Sequence, residues 1–574
     1  MSSARSIGSP RRATFNLAAL RSAAADWVRR PIVSASLLLT ALTVMLTWPQ
    51  ALHLGSHVAP YPDPRLSIWR LSWLAHALNG GDMSRLFDGN IFYPNPGSFA
   101  YSDATFLEGL IAAPWLWLHV NPVAVYNVLL LGGIISSGIG MFVLVRYLTN
   151  DPDAALVSAV IFTLIPYRIE HFMHLELQWT VWMPLAFWAV HRAIDERSTR
   201  FGLLAGLLIW LQMISSVYYG AFLGVIVAAL AGLLVASKPQ QARSAVLPLA
   251  VCALVTAALT LPYAVPYIAN ARELGPRDPG EIATFSAHLD SYFLTPQQNW
   301  LWGWTAFKFG GNELHLFPGV VAIGLSLFAR RRPRRDVWIY VTLAVLAAAL
   351  SLGSNLPIYR WLNDHVWVSR GFRAPARFAI LASCALAVVA GFGFQALRRF
   401  VVPPFMRRGL LVTVLVLIGL ECGSAPMILA DVPTKVPDVY RFLRTLDRSV
   451  IVEFPMVDYD MTPQFMYGSI FHWHKLVNGY SGFTPPDYRE TRERMRTFPD
   501  DEAIDRLTEL GVRYVVVHQA YYAPDDYADL LERILHRAEL RPMGHYRDWV
   551  ADTQIFQLER STESTPQSAP ENRH

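Results

Sequence analysis

Long apolar runs separated by short polar linkers fill most of the first 430 residues. They lie at about 31–50, 104–119, 122–147, 153–167, 177–192, 201–216, 218–236, 244–267, 314–330, 336–353, 374–398 and 408–428. An apolar stretch of about 18 residues or more can cross the hydrocarbon core of a bilayer, so the pattern reads as a series of membrane-spanning helices. Of these twelve segments the weakest runs from Thr105 to Val120. It is short, carries Glu108 and Pro114, and is separated from the next run by little more than Asn121-Pro122. Read as a membrane-surface helix, it leaves eleven spans.

The basic residues decide between these counts. With the N-terminus inside and eleven spans, the inner linkers are Arg146 to Asp153, His191 to Arg200, Lys238 to Arg243, Arg330 to Arg335 and Arg398 to Arg408, and each contains Lys or Arg. A twelfth span would put Arg330 to Arg335 and its counterparts outside, against the inward bias of positive charge in short loops. Arg5, Arg11, Arg12, Arg21, Arg29 and Arg30 precede the first run, which is too long for the core of a cleavable signal peptide and reads as a signal anchor. Parity then puts the loops 51–121, 168–176, 268–313 and 354–373, and everything after 430, on the outer face. The expected organisation is a cytoplasmic basic segment 1–30, a transmembrane region 31–430 and a periplasmic or extracellular region 431–560. The multi-pass chain would lie in the cell's inner membrane.

From Asp431-Val432-Pro433 onward, short mixed patterns replace the long runs. Tyr440 to Leu446 and Glu502 to Leu510 read as helices, while Ser449 to Phe454 and Val512 to His518 read as strands. Their alternation predicts a small soluble α/β domain. The residues 561–574, rich in Ser, Thr, Pro and Glu, have the composition of a disordered tail. The fold class expected is therefore a mainly α polytopic membrane protein with a C-terminal α/β domain.

Composition agrees: 53% of the 574 residues are hydrophobic and 16% charged, against about a quarter charged in soluble proteins. The net charge of +5 sits largely in the linkers and is a topology signal, so no nucleic-acid partner is inferred. Cys252, Cys384 and Cys422 all fall in or beside apolar runs, which argues against a disulfide framework or thiolate metal site. No P-loop or Gly-x-Gly-x-x-Gly pattern points to a nucleotide.

Candidate chemistry clusters in the outer loops. Asp63 lies between two prolines just after the first span, ahead of a helix bearing Trp69 and Trp73 on one face. A carboxylate held there could take a proton from a hydroxyl nucleophile; an aspartate at a helix start is also an ordinary N-cap. Arg65 and Tyr93 lie in the same loop, and Asp103 precedes the surface helix. The second loop carries Arg168, Glu170, His171, His174 and Glu176, with Glu170 and His174 spaced for one helical face. Imidazole and carboxylate suit several divalent ions, but this is not a His-Glu-x-x-His motif and no metal is assigned. Glu313 and His315 stand where the eighth span begins. Arg373 and Arg377, four apart, are expected on one helical face, where guanidinium forks could hold a lipid phosphate. In the C-terminal region, His472, His474 and Asn478 among aromatics would suit sugars or a core edge.

Through Asp63 after the first span, Phe92-Tyr93-Pro94, the surface helix before the second span and the outer His and Arg motifs, the chain resembles the GT-C superfamily of membrane glycosyltransferases. The likeness is to bacterial members related to the protein O-mannosyltransferase and aminoarabinose transferase group. The resemblance implies inverting transfer of a hexosyl or pentosyl group from a polyprenyl-phosphate donor to a glycan, lipid or protein acceptor of the cell envelope, at the outer face. It implies Asp63 as general base, Arg373 and Arg377 as donor-phosphate ligands, and Asp103, Glu176 and Glu313 as further site carboxylates. Asp63 lacks the neighbouring second acid of the Asp-Glu and Asp-x-Asp forms. The competing class is a transporter or glycan-binding scaffold for envelope polysaccharide. Neither internal repeats nor mid-membrane charges support it.

Overall fold

A computed structural model describes residues 30–80, 83–307, 313–330, 334–365, 370–401, 403–456 and 461–559. The arginines before residue 30, residues 331–333 of the basic linker and the predicted disordered tail lie outside them.

Five described helices are long and apolar enough to cross a membrane: Pro122–Thr149, Pro152–Glu170, Val217–Ser237, Pro239–Leu274 and Pro375–Arg398. Shorter apolar helices are Pro31–Leu46, Phe106–Trp117, Thr199–Ser215 and Val320–Ala329. Trp182–Asp195, Arg335–Ser351 and Pro404–Glu421 are also helical. Each apolar run in the sequence thus contains a helix. Proline, harmless at a first helical position because its missing N–H has no partner there anyway, opens several of them. The Asn121 side chain accepts from Val123 N, and Asp151 from Asp153 N and Ala154 N, at two such starts.

Two runs are shorter as helices than expected. The run 314–330 is helical only over Val320–Ala329, because Pro318-Gly319 delays it; Gly319 has φ +95°, and both oxygens of Glu421 accept from the amides of Val320 and Val321. The run 177–192 becomes a short turn at Leu175–Gln178 followed by Trp182–Asp195.

The bundle core is built around Ala379–Arg398, sixteen of whose residues are buried. Small residues let neighbours approach: a methyl group on Gly393 would run into the Leu325 carbonyl oxygen. By contrast Ala242–Leu274 has Val246, Leu247, Leu254 and Leu261 exposed, as an outer lipid-facing helix would.

Residues after 430 form a mixed five-stranded sheet in the order β4-β3-β5-β7-β6. Its strands are β3 (Val450–Phe454), β4 (Lys475–Leu476), β5 (Val512–His518), β6 (Leu540–Arg547) and β7 (Asp552–Leu558). β3 runs parallel to β4 and β5, and β7 runs antiparallel to β5 and β6. The helices Asp438–Leu443 and Asp501–Glu509 flank them. Backbone pairing joins the C-terminal region to the segment after the first helix at two places. His57–Val58 (β1) pairs antiparallel with Ala430–Asp431 (β2). The segment Asn90 to Tyr93 hydrogen-bonds along β4, with Leu476 N donating to Asn90 O at 2.7 Å and Tyr93 N to Leu476 O at 2.9 Å.

Candidate active site

Asp63 is the first residue of the helix Asp63–Gly80 and keeps 28% of its side chain exposed. Across from it, Pro166 ends the preceding span and starts the short helix Pro166–Glu170, after which the chain turns through His171 to His174. This break sends neighbouring side chains to different partners. His174 Nε2 lies 3.9 Å from Asp63 Oδ1, the His171 and His174 Nδ1 atoms are 3.4 Å apart, and Glu170 Oε2 is 2.7 Å from His315 Nδ1. Glu170 and His174 therefore do not share a helical face, as their spacing suggested.

Glu313, at φ +65°, turns into the same cluster. Its two oxygens accept from Nε and Nη2 of Arg377, both at 2.7 Å, and Oε2 lies 4.0 Å from His171 Nδ1. Burial alone would raise the Glu313 carboxyl; the charge and the fork of Arg377 outweigh it and hold the group well below the usual carboxylate range. Burial pushes His171 well below its ordinary value, so it is a neutral imidazole.

Arg373 and Arg377 flank Pro375, which opens a short 3-10 turn, Pro375–Phe378, rather than a full helix. The two guanidiniums consequently reach different carboxylates. Arg373 Nη1 is 2.9 Å from Glu281 Oε1, while Arg377 is forked onto Glu313. The Arg373 guanidinium lies over Phe285 at 5.2 Å, and that of Arg377 over Tyr218 at 5.0 Å.

Behind this row lies an acidic compartment. Asp103 is 4% exposed and accepts from Ser216 Oγ at 2.9 Å and Val217 N at 2.6 Å. Burial and the nearby Glu176 push it up to about 6. Glu176 Oε2 is buried without a hydrogen bond, and its closest cation is Arg70, Nη1 at 3.9 Å. Arg70 also donates to Ser102 Oγ, which is 2.9 Å from Ser481 Oγ of the C-terminal region.

Of the residues singled out in the sequence, Asp63, His174, His171, Glu313 and Arg377 are linked contact by contact, and Asp103, His315 and Arg373 lie within electrostatic reach of that row, with Glu176 next to Asp103. Arg168, Arg65 and Tyr93 do not join them. Arg168 is buried in donor bonds to Phe162 O, Gln178 O and Thr180 Oγ1 and serves as a brace. Arg65 leans toward the Asp431 carbonyl at 3.5 Å, and the Tyr93 ring lies under Lys475 at 4.9 Å. Glu281 and Arg70 were missed as partners, and Glu170 was assigned to His174 rather than to His315. His472, His474 and Asn478 are buried in the C-terminal region, Asn478 bridging Glu453 N and O.

Among the described residues one group could hold a cation: His171, His174 and Glu313 each present a ligand atom, all within 4.8 Å of one another. The sequence reading assigned no metal because the histidine spacing is not that of His-Glu-x-x-His, and Glu313, remote along the chain, was not linked to the histidines.

The fold is that of the GT-C glycosyltransferases. The chain matches the structure of ArnT from Cupriavidus metallidurans bound to undecaprenyl phosphate with TM-score 0.53 and 12% identity, covering 94% of this chain and 99% of that one. It also matches the arabinofuranosyltransferase AftD from Mycobacteria with TM-score 0.56 and 12% identity, over 93% of this chain but only 40% of AftD. No family model matches the sequence. No curated protein matches it either.

Proposed function

We propose that this chain is an inverting membrane glycosyltransferase that moves a sugar from a polyprenyl-phosphate donor to a hydroxyl acceptor on the outer face of the membrane. The observation that carries this reading is the convergence of a partly exposed carboxylate, Asp63, with two arginines already arranged around anionic oxygens, Arg373 and Arg377. The GT-C fold and the undecaprenyl phosphate of the ArnT structure support it.

In this mechanism Asp63 takes the proton of the acceptor hydroxyl as its oxygen attacks the anomeric carbon. His174, beside it, orients the carboxylate. The bond from the anomeric carbon to the phosphate oxygen breaks, and its electron pair leaves with the polyprenyl phosphate. Arg373 and Arg377 neutralise the charge that gathers on that phosphate; stabilising charge where it develops is commonly the largest catalytic contribution. A lipid-linked donor cannot leave the bilayer, so base and cations must meet it at the interface. The acceptor, a glycan, lipid or protein, approaches from the side where Asp63 is exposed.

Asp63→Asn in membrane fractions supplied with labelled polyprenyl-phosphate sugars is expected to lower transfer by a factor of about 10² to 10⁴, the usual worth of a general base. Unchanged product formation would remove Asp63 from catalysis. Absence of transfer by the wild-type protein from any donor would favour a transporter or scaffold. The arginines supply the phosphate's counter-charge, and both Glu313 oxygens are bonded to Arg377. Transfer is accordingly expected to survive EDTA treatment. Loss on chelation, with recovery on adding Mn²⁺, would instead assign His171, His174 and Glu313 as a metal seat.

A further inference from the structure

Arg277 stands one step outside the site just described, and its surroundings are unusual for a buried guanidinium. It is 8% exposed, and its Nε is buried with no hydrogen-bond partner. Nη1 donates to Gly482 O at 2.5 Å, and the guanidinium carbon sits 3.2 Å from the Phe483 ring centre. Both residues belong to the segment after β4, so a C-terminal loop holds this side chain in place. On its other side Nη1 is 3.6 Å from Glu281 Oε2, while the second oxygen of the same carboxylate is held by Arg373. Two guanidiniums therefore share one carboxylate, and Arg377 uses Glu313. Among the described residues of this cluster, three arginines face two glutamates.

The sharing has a physical consequence. An Arg373 bound to Glu281 alone would have to abandon a half-buried partner in order to grip a phosphate, and leaving such a carboxylate unpaired carries a cost. With Arg277 already in contact, Glu281 keeps a counter-charge when Arg373 turns away. The pair also retains one uncompensated positive charge, which suits an incoming anion.

Resting on the glycosyltransferase reading above, we propose that Arg277 is a positioning residue for the donor phosphate: held by Gly482 and Phe483 of the C-terminal region, it retains Glu281 and so frees Arg373 for the lipid phosphate. The C-terminal region thereby becomes a working part of the donor site.

The test is binding of undecaprenyl phosphate to the full-length protein in nanodiscs, with thermal unfolding recorded for every variant. Arg373→Ala checks the underlying reading. Arg277→Gln is expected to weaken binding about tenfold or more, the usual worth of a charge-assisted contact. Arg277→Gln with Glu281→Gln is expected to restore most of the affinity, because the carboxylate that captures Arg373 is gone. A residue with a merely structural role would not be rescued in this way. Phe483→Leu, which leaves both charges in place, should weaken binding by a smaller factor and covers the case in which Arg277→Gln does not fold. Wild-type affinity in both Arg277→Gln and Phe483→Leu, or no recovery in the double variant, overturns the proposal while a weakened Arg373→Ala leaves the parent reading standing. Unchanged binding in Arg373→Ala overturns both.

Discussion

At the scale of single residues, the decisive feature is that the site's charges are paired before any ligand arrives. Glu313 and Arg377 are 11% and 6% exposed at the side chain, and their contact is a two-point one with both carboxylate oxygens engaged. Removing one member of such a pair leaves the other buried and uncompensated, at a cost of order 3 kcal/mol. Glu313→Gln is therefore expected to lower the unfolding temperature measurably in detergent or nanodiscs, whereas Glu281→Gln, at 28% side-chain exposure and with a longer contact to the buried Arg277, should lower it less. Equal, small shifts in both would mean that the Glu313 pair contributes no more than a surface one. These residues were unequally legible in the sequence. Asp63, His174 and Glu313 could be flagged because each sits at the border of an apolar run, where a charge needs a reason. Arg70 and Arg277 could not. One is an arginine in mid-helix and the other lies in a long loop, and what distinguishes them is contact with Ser102, Gly482 and Phe483, distant in the chain.

At the scale of elements, the C-terminal sheet carries its own buried charge network. His518, the last residue of β5, places Nε2 2.7 Å from Glu453 Oε2 on β3 and Nδ1 2.8 Å from Asp548 Oδ2. Tyr440 OH donates to the same Glu453 oxygen, and the Tyr521 and Phe465 rings close the cluster. Burial opposes the charged imidazole, but the two carboxylates outweigh it and raise His518 from 6.5 to about 9. Because the folded value lies above the unfolded one, the stabilisation is complete below about 6.5 and is lost as pH rises through about 9. The unfolding temperature of the protein should thus decline between pH 7 and pH 10, and His518→Asn should flatten that decline while lowering stability at pH 7. A wild-type curve as flat as the variant's would show that the imidazole is neutral. The strands β3 and β5 were readable as β-branched runs. The hairpin β6–β7 was not, since Leu540–Arg547 alternates poorly and contains Pro542 and Gly544, at which its register shifts. Similarly, the apolar runs announced their helices, but not that Pro166 and Pro318-Gly319 would release the backbone beside the site.

At the scale of the whole molecule, the eleven-span topology expected from the sequence is a proposal about which ends of the helices share a compartment, and reporter fusions test it. Alkaline phosphatase fused after Ala430 should be active and fused after Arg399 inactive, with a cytoplasmic fluorescent reporter giving the opposite pattern. Activity at both points would refute the parity on which the outward-facing site rests. The two-stranded ribbon that joins His57–Val58 to Ala430–Asp431 adds a matter of timing. A chain made from its N-terminus presents the Asp63 segment early, yet that segment's strand partner emerges only after some 370 further residues, and the loop holding Arg277 later still. The site would stay unfinished throughout most of synthesis and membrane insertion. On the proposed function, a nascent or truncated chain that carried Asp63 and every apolar helix would still be unable to use a lipid-linked sugar.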